Sequence, residues 1–146
     1  MLAGAVEQNL GRPEAGRFGP RVLHRLQLDP PREVTRPSLY GAQHPISVLA
    51  DGRDEVDTIF VGPCCESGDI LTPAPGDPEA LGPRRGPRPA IGDLAVIGGA
   101  GAYCAAMSTV NYNSYQQAPE VMLEPDGALR LLRRRETLEE IWRNEV

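Results

Sequence analysis

The sequence predicts a mostly-β domain, a β-barrel or sandwich with a short C-terminal helix, and three observations carry that prediction. Short β-branched runs recur from His44 onward, glycine and proline (16 and 15 of 146 residues) interrupt the chain every few positions, and helical periodicity appears only at the C-terminus. A chain of 146 residues fits one domain. At that size about 68–70% of the unfolded surface is buried, which supports a modest core.

Residues 1–35 are broken by Gly11, Pro13, Gly16, Gly19, Pro20, Pro30 and Pro31, so little regular structure is expected there beyond Val22 to Leu28. Ile46 and Val48, then Val56, Ile59, Phe60 and Val61, flank the turn Asp51-Gly52-Arg53-Asp54, a pattern that predicts a hairpin. Further strands are expected at Ile70-Leu71, Leu94 to Ile97, Glu120 to Leu123 and Ala128 to Leu132. The last two flank Pro125-Asp126-Gly127, where Pro fixes φ and Gly tolerates positive φ. Residues 73–89 hold Pro73, Pro75, Gly76, Pro78, Gly82, Pro83, Gly86, Pro87 and Pro89, and read as a long surface loop. At the C-terminus Thr137 can cap a helix, Glu139 and Glu140 suit its first turn, and Leu138, Ile141 and Trp142 fall at helical spacing.

Composition excludes several functions. All fifteen basic residues are arginine, so these residues offer no side-chain amine for a Schiff base. The net charge of −5 argues against nucleic acid as a partner. The run Arg133-Arg134-Arg135 is followed by Glu136, Glu139 and Glu140, and reads as a solvated, self-compensating surface. No 18-residue apolar run predicts a membrane span, and Glu7 and Asn9 interrupt what would be a secretory signal core. Cys64, Cys65 and Cys104 form an odd set without a CxxC pair, which predicts neither a disulfide framework nor a zinc site; the cytoplasm is the expected compartment.

Three clusters could carry chemistry. In Gly62-Pro63-Cys64-Cys65-Glu66-Ser67-Gly68-Asp69 the acidic neighbours favour the protonated thiol, so a cysteine here suits proton donation better than nucleophilic attack; the alternative is a turn with small buried cysteines. Gly98-Gly99-Ala100-Gly101-Ala102-Tyr103-Cys104 lets backbone approach a ligand, with Tyr103 placed to stack or donate, or is simply a tight strand corner. Arg36-Pro37-Ser38-Leu39-Tyr40 puts a guanidinium and a phenol where they can hold a carboxylate, and His44 reads as a strand-edge histidine. A hydrolase using Cys65 with His44 as base is disfavoured by the same acidic flank.

In this order, and with Gly92-Asp93-Leu94, Met107-Ser108, Tyr112-Asn113 and Pro119-Glu120-Val121, the clusters resemble the C-terminal half of the diaminopimelate decarboxylases, within the alanine-racemase-like, pyridoxal-phosphate-dependent decarboxylases of ornithine, diaminopimelate and arginine. The resemblance divides the chain into an N-terminal segment, 1–35, outside it and a β domain over 36–146. It implies a carboxy-lyase that converts meso-diaminopimelate to L-lysine and carbon dioxide in lysine biosynthesis. It also implies a site in which Cys65 donates the proton across a dimer interface, Glu66 binds the distal ammonium, Arg36 and Tyr40 hold the distal carboxylate, and Tyr103 touches substrate and cofactor. The family's (β/α)8 barrel, which carries the cofactor lysine, has no counterpart in these residues. They are therefore expected to be a truncated or split substrate-recognition and dimerisation domain, inactive alone, whose partners are meso-diaminopimelate and a barrel half or a second protomer. The alternative is a non-catalytic module that modulates an intact decarboxylase. The family's N-terminal segment adds strands to this domain, so a sheet edge is expected to be left unpaired.

Overall fold

The structure, a computed structural model, describes residues 3–6, 24–28, 34–64, 67–101 and 103–146. The chain divides into two compact units, Met1–Ser108 and Thr109–Val146. In the first unit the strands are β1 (Ala3–Val6), β2 (His24–Leu28), β3 (Ile46–Val48), β4 (Glu55–Val61), β5 (Pro73–Ala74), β6 (Asp77–Leu81), β7 (Arg84–Pro87) and β8 (Ala95–Ile97), with one short helix, α1 (Arg36–Tyr40). The second unit holds β9 (Glu120–Leu123), β10 (Leu129–Arg133) and α2 (Leu138–Ile141). The mostly-β class is as expected, built from open sheets with no closed barrel among the described residues.

β4 carries the longest β-branched run and organises the first unit. It lies inside a four-stranded sheet of order β1-β2-β4-β7, parallel to β2 and antiparallel to β7. The edge expected to stand unpaired is covered, because the N-terminal segment itself supplies β2, with His24 opposite Thr58 and Gln27 opposite Val61. β1 then pairs antiparallel with β2, so this segment is more regular than its prolines and glycines predict. One inner face buries Phe60 with Val34, Val48, Leu71, Ala95 and Cys104, a small core completed at its margin by Ile46, Ala50, Ile97 and Ala100.

Four sequence expectations are corrected. The hairpin across Asp51–Asp54 does not form: the turn exists, but β3 pairs with β8 and β4 with β2 and β7, so the two runs enter different sheets. That turn is instead held from outside, because Arg53 donates to both Asp93 oxygens (2.5 and 3.1 Å) and to the Arg88 carbonyl. The Arg53 guanidinium, followed by the Ala90 N–H, holds the Asp93 carboxyl below its ordinary range. Residues 73–89 are three strands, not a loop. Their prolines are tolerated because β5–β6 is an isolated two-stranded ribbon and β7 is a sheet edge, where a missing N–H faces no partner strand. Helix is also present at α1, where Pro37 occupies the first turn and Gly41, at φ 65°, ends it. Ile70 makes only an isolated bridge to Val61.

The second unit follows its sequence signals closely. β9 and β10 pair antiparallel around the Pro125–Gly127 turn, where Gly127 takes φ +86° and donates to the Glu124 carbonyl at 2.9 Å. At α2 the Glu140 carboxylate accepts from the Thr137 N–H at 2.9 Å and from Arg134 at 2.7 Å. The Arg134 guanidinium, then the Thr137 N–H, pull the Glu140 carboxyl down from 4.5 to about 2. Because the folded value lies below the ordinary one, the stabilisation is complete above pH 4.5 and is lost as pH falls towards 2. A carboxyl-carbon NMR titration should therefore show a Glu140 midpoint near 2. A midpoint at the ordinary 4.5 would show that the cap is not formed in solution.

Candidate functional site

α1 starts at Arg36 and Pro37 because proline is pre-set for a first helical turn, and it stops at left-handed Gly41. This short helix presents Tyr40, which is 67% exposed, while Pro37 is buried beneath it. Arg36 is half-buried. The guanidinium and the phenol thus sit on one rigid turn anchored from below.

The second cluster forms a closed loop between β4 and a 3₁₀ turn, Ser67–Asp69. Asp69 closes it with both of its acceptors: its carbonyl takes the Gly62 N–H at 2.8 Å and its carboxylate takes the Cys64 N–H at 2.5 Å. Asp69 and Cys64 are both buried (8% and 7% exposed). A buried carboxylate is tolerated only with such donors. The expectations for Cys65 and Glu66 lie outside the described residues; Asp69 ties Gly62 and Cys64 together before them. α1 packs against the Ser67–Asp69 turn, so the Arg36–Tyr40 helix and the end of this loop are neighbours.

The third cluster leaves β8 at Gly98, passes Gly99 (φ +63°) and reaches Tyr103, itself at φ 62°. Such a backbone is uncommon for a bulky residue. Cys104, 1% exposed, is sunk in the core, whereas Tyr103 is 68% exposed. Cys104 is therefore a packing residue, and Tyr103 presents its ring outward.

The first and third segments run antiparallel to one another. Thr35 Oγ1 donates to the Met107 carbonyl at 3.2 Å, His44 Nδ1 lies 3.1 Å from the Gly98 carbonyl, and Ile46 stands opposite Ile97. Between the first two ties the chain forms α1 on one side and the corner ending at Tyr103 on the other. Arg36, Tyr40 and Tyr103 thus all lie in the first unit. His44, read as a strand-edge histidine, lies just ahead of β3 and is 7% exposed.

Sequence reasoning missed Thr35 and the closing role of Asp69. Thr35 precedes the helix as a cap residue should, yet its hydroxyl is spent on Met107 and not on the helix, which no local pattern shows. Asp69 was legible only as a negative neighbour. Among the described residues no group of three or more His, Cys, Asp or Glu could hold a metal ion. No described helix is long and apolar enough to cross a membrane.

Comparison with known proteins places this arrangement. A family model described as pyridoxal-dependent decarboxylase, C-terminal sheet domain, matches residues 32–101. Diaminopimelate decarboxylase of Streptomyces coelicolor is 44% identical over 120 residues, 78% of this chain and 26% of that protein. A crystal structure of a diaminopimelate decarboxylase superposes with a TM-score of 0.74 at 36% identity, covering 89% of this chain and 31% of the other. The enzyme of Helicobacter pylori, solved in complex with L-lysine, superposes at 0.69 with 32% identity, covering 86% and 28%. The chain spans about a quarter of the length of the curated relative, whose covered share is 26%.

Proposed function

The chain belongs to the pyridoxal-dependent decarboxylase family through its C-terminal sheet domain, and from that premise we propose that it is the substrate-recognition and dimerisation domain of a diaminopimelate decarboxylase. The observation that supports this reading is that α1 packs against the Ser67–Asp69 turn, while Thr35 and His44 on its flanks tie to Met107 and Gly98 on either side of Tyr103. Each segment supplies a group that one end of a diamino diacid needs.

Arg36 and Tyr40 hold the distal carboxylate of meso-diaminopimelate, a guanidinium offering paired N–H donors and a phenol one more. Glu66 pairs with the distal ammonium. Cys65 Sγ keeps its proton in an acidic neighbourhood and delivers it to the carbon that loses carbon dioxide, across the interface into a partner protomer. Tyr103 offers its exposed ring to the substrate and the cofactor. Pyridoxal phosphate, when bound, supplies the electron sink for decarboxylation. These 146 residues contain no lysine and so do not fit its covalent anchoring. That link belongs to a (β/α)8 barrel, and alone the chain is expected to be inactive. The cytoplasm remains the compartment this reading assigns.

The test combines the purified chain with a barrel-only half of a related enzyme, pyridoxal phosphate and meso-diaminopimelate, and follows carbon dioxide release. Activity is expected only in the combination, and absence of activity in every combination defeats the proposal. Co-elution with an intact homologue and a change in its rate, without complementation, would favour the modulating module instead. In the complemented enzyme Arg36→Ala should raise KM for diaminopimelate about thirtyfold, corresponding to roughly 2 kcal/mol for a charge-assisted pair. An unchanged KM removes Arg36 from the clamp.

A further inference from the structure

We propose that His44 is a positioning residue, whose imidazole locks Gly98 and thereby fixes where the glycine corner delivers Tyr103. The role of Tyr103 rests on the decarboxylase reading; the lock rests on geometry alone.

His44 is 7% exposed, and its Nδ1 lies 3.1 Å from the Gly98 carbonyl oxygen. A carbonyl only accepts, so Nδ1 carries a hydrogen. Nε2 is buried and has no hydrogen-bond partner among the described residues. An unpaired buried polar atom is destabilising, and an aliphatic residue would avoid that cost. Histidine at this position is therefore explained by what Nδ1 does.

What Nδ1 does is complete a two-point attachment. The Gly98 N–H donates to the Pro45 carbonyl at 2.8 Å, so adjacent residues hold both backbone polar groups of Gly98. A Cβ at Gly98 would come within 2.9 Å of Pro45 Cγ, which shows how closely the strands approach. Gly99 and Gly101 follow, residues with wide conformational freedom. Without a fixed origin they would let the corner wander. At the far end Cys104 is sunk in the core and Thr35 holds Met107, so the corner is pinned at both ends and Tyr103 has one place to stand.

The test uses the full isotope-labelled chain with His44→Leu and His44→Asn, the asparagine amide replacing the Nδ1–H donor. In His44→Leu the amide signals of Gly98 to Tyr103 should shift and broaden while those of the β9–β10 hairpin stay unchanged, and His44→Asn should restore them. In the complemented enzyme His44→Leu should raise KM for diaminopimelate about tenfold, with His44→Asn within about threefold of the parent. Parent-like signals from Gly98 to Tyr103 in His44→Leu overturn the lock, as does equal perturbation in both variants. If His44→Leu fails to fold, a folded His44→Asn with parent signals supports the lock, and loss of fold in both replaces it with plain packing. If no combination with a barrel half is active yet the signals behave as stated, the decarboxylase reading fails and the lock stands.

Discussion

Gly82→Ala is expected to destabilise the first unit by about 3 kcal/mol, at the upper end of the cost of overpacking a tight site. A Cβ at Gly82 would lie 2.5 Å from the Pro73 carbonyl oxygen, 2.9 Å from its carbonyl carbon and 3.1 Å from Ala74 Cα. All three are backbone atoms, so no side-chain rotation relieves the overlap. The Gly82 N–H also donates to the Thr72 carbonyl at 2.8 Å, and Thr72, fully buried, accepts the Phe60 N–H at 3.1 Å. Movement of Gly82 would therefore pass directly to the strand that carries the core. Gly86→Ala is the internal control: nothing lies within 4 Å of its Cβ position, and the change should stay within about 0.5 kcal/mol. Urea unfolding of both variants decides the matter. Equal midpoints would show that the β5–β6 ribbon is not packed as described.

Asp69→Ala should lower the activity of the complemented enzyme by about a hundredfold while leaving most of the fold in place. Removing the carboxylate takes away the acceptor of the buried Cys64 N–H, at a cost of about 1–3 kcal/mol, and releases the loop that carries Cys65 and Glu66. On the proposed reading Cys65 is the proton donor, and a displacement of about 1 Å removes most of its rate advantage. Asp69→Asn keeps an acceptor oxygen and should recover activity to within about tenfold of the parent. The discriminating measurement is single-turnover carbon dioxide release alongside thermal unfolding. Full activity in Asp69→Ala would mean that the loop is held without this bond, and a proportionate loss in Asp69→Asn would mean that the charge itself matters.

How legible the fold was depended on the range of the contacts involved. The C-terminal hairpin and α2 were readable because their determinants are adjacent: Gly127 turns the chain and Glu140 reaches back three residues to Thr137. β3 and β4 were readable as strands but not as partners, because what each pairs with comes from residues 24–28, 84–87 and 95–97. The density of prolines over 73–89 masked three strands, since proline excludes a central strand and not an edge.

The residues of the candidate site were legible as types, and the family resemblance followed from their order; their spatial neighbourhood was not. By itself the sequence determined that the domain is mostly β, that the given residues include no lysine, and that Arg36–Tyr40, a cysteine loop with acidic neighbours and a glycine-rich stretch ending at Tyr103 follow one another along the chain. Only the tertiary structure decided that Thr35 and His44 tie the first of these to the third, that Asp69 closes the second on itself, and that the N-terminal segment covers the β4 edge. The reason is physical. Backbone propensity and side-chain chemistry are local properties, whereas a hydrogen bond to a carbonyl dozens of residues away carries no mark in the sequence of the chain that accepts it.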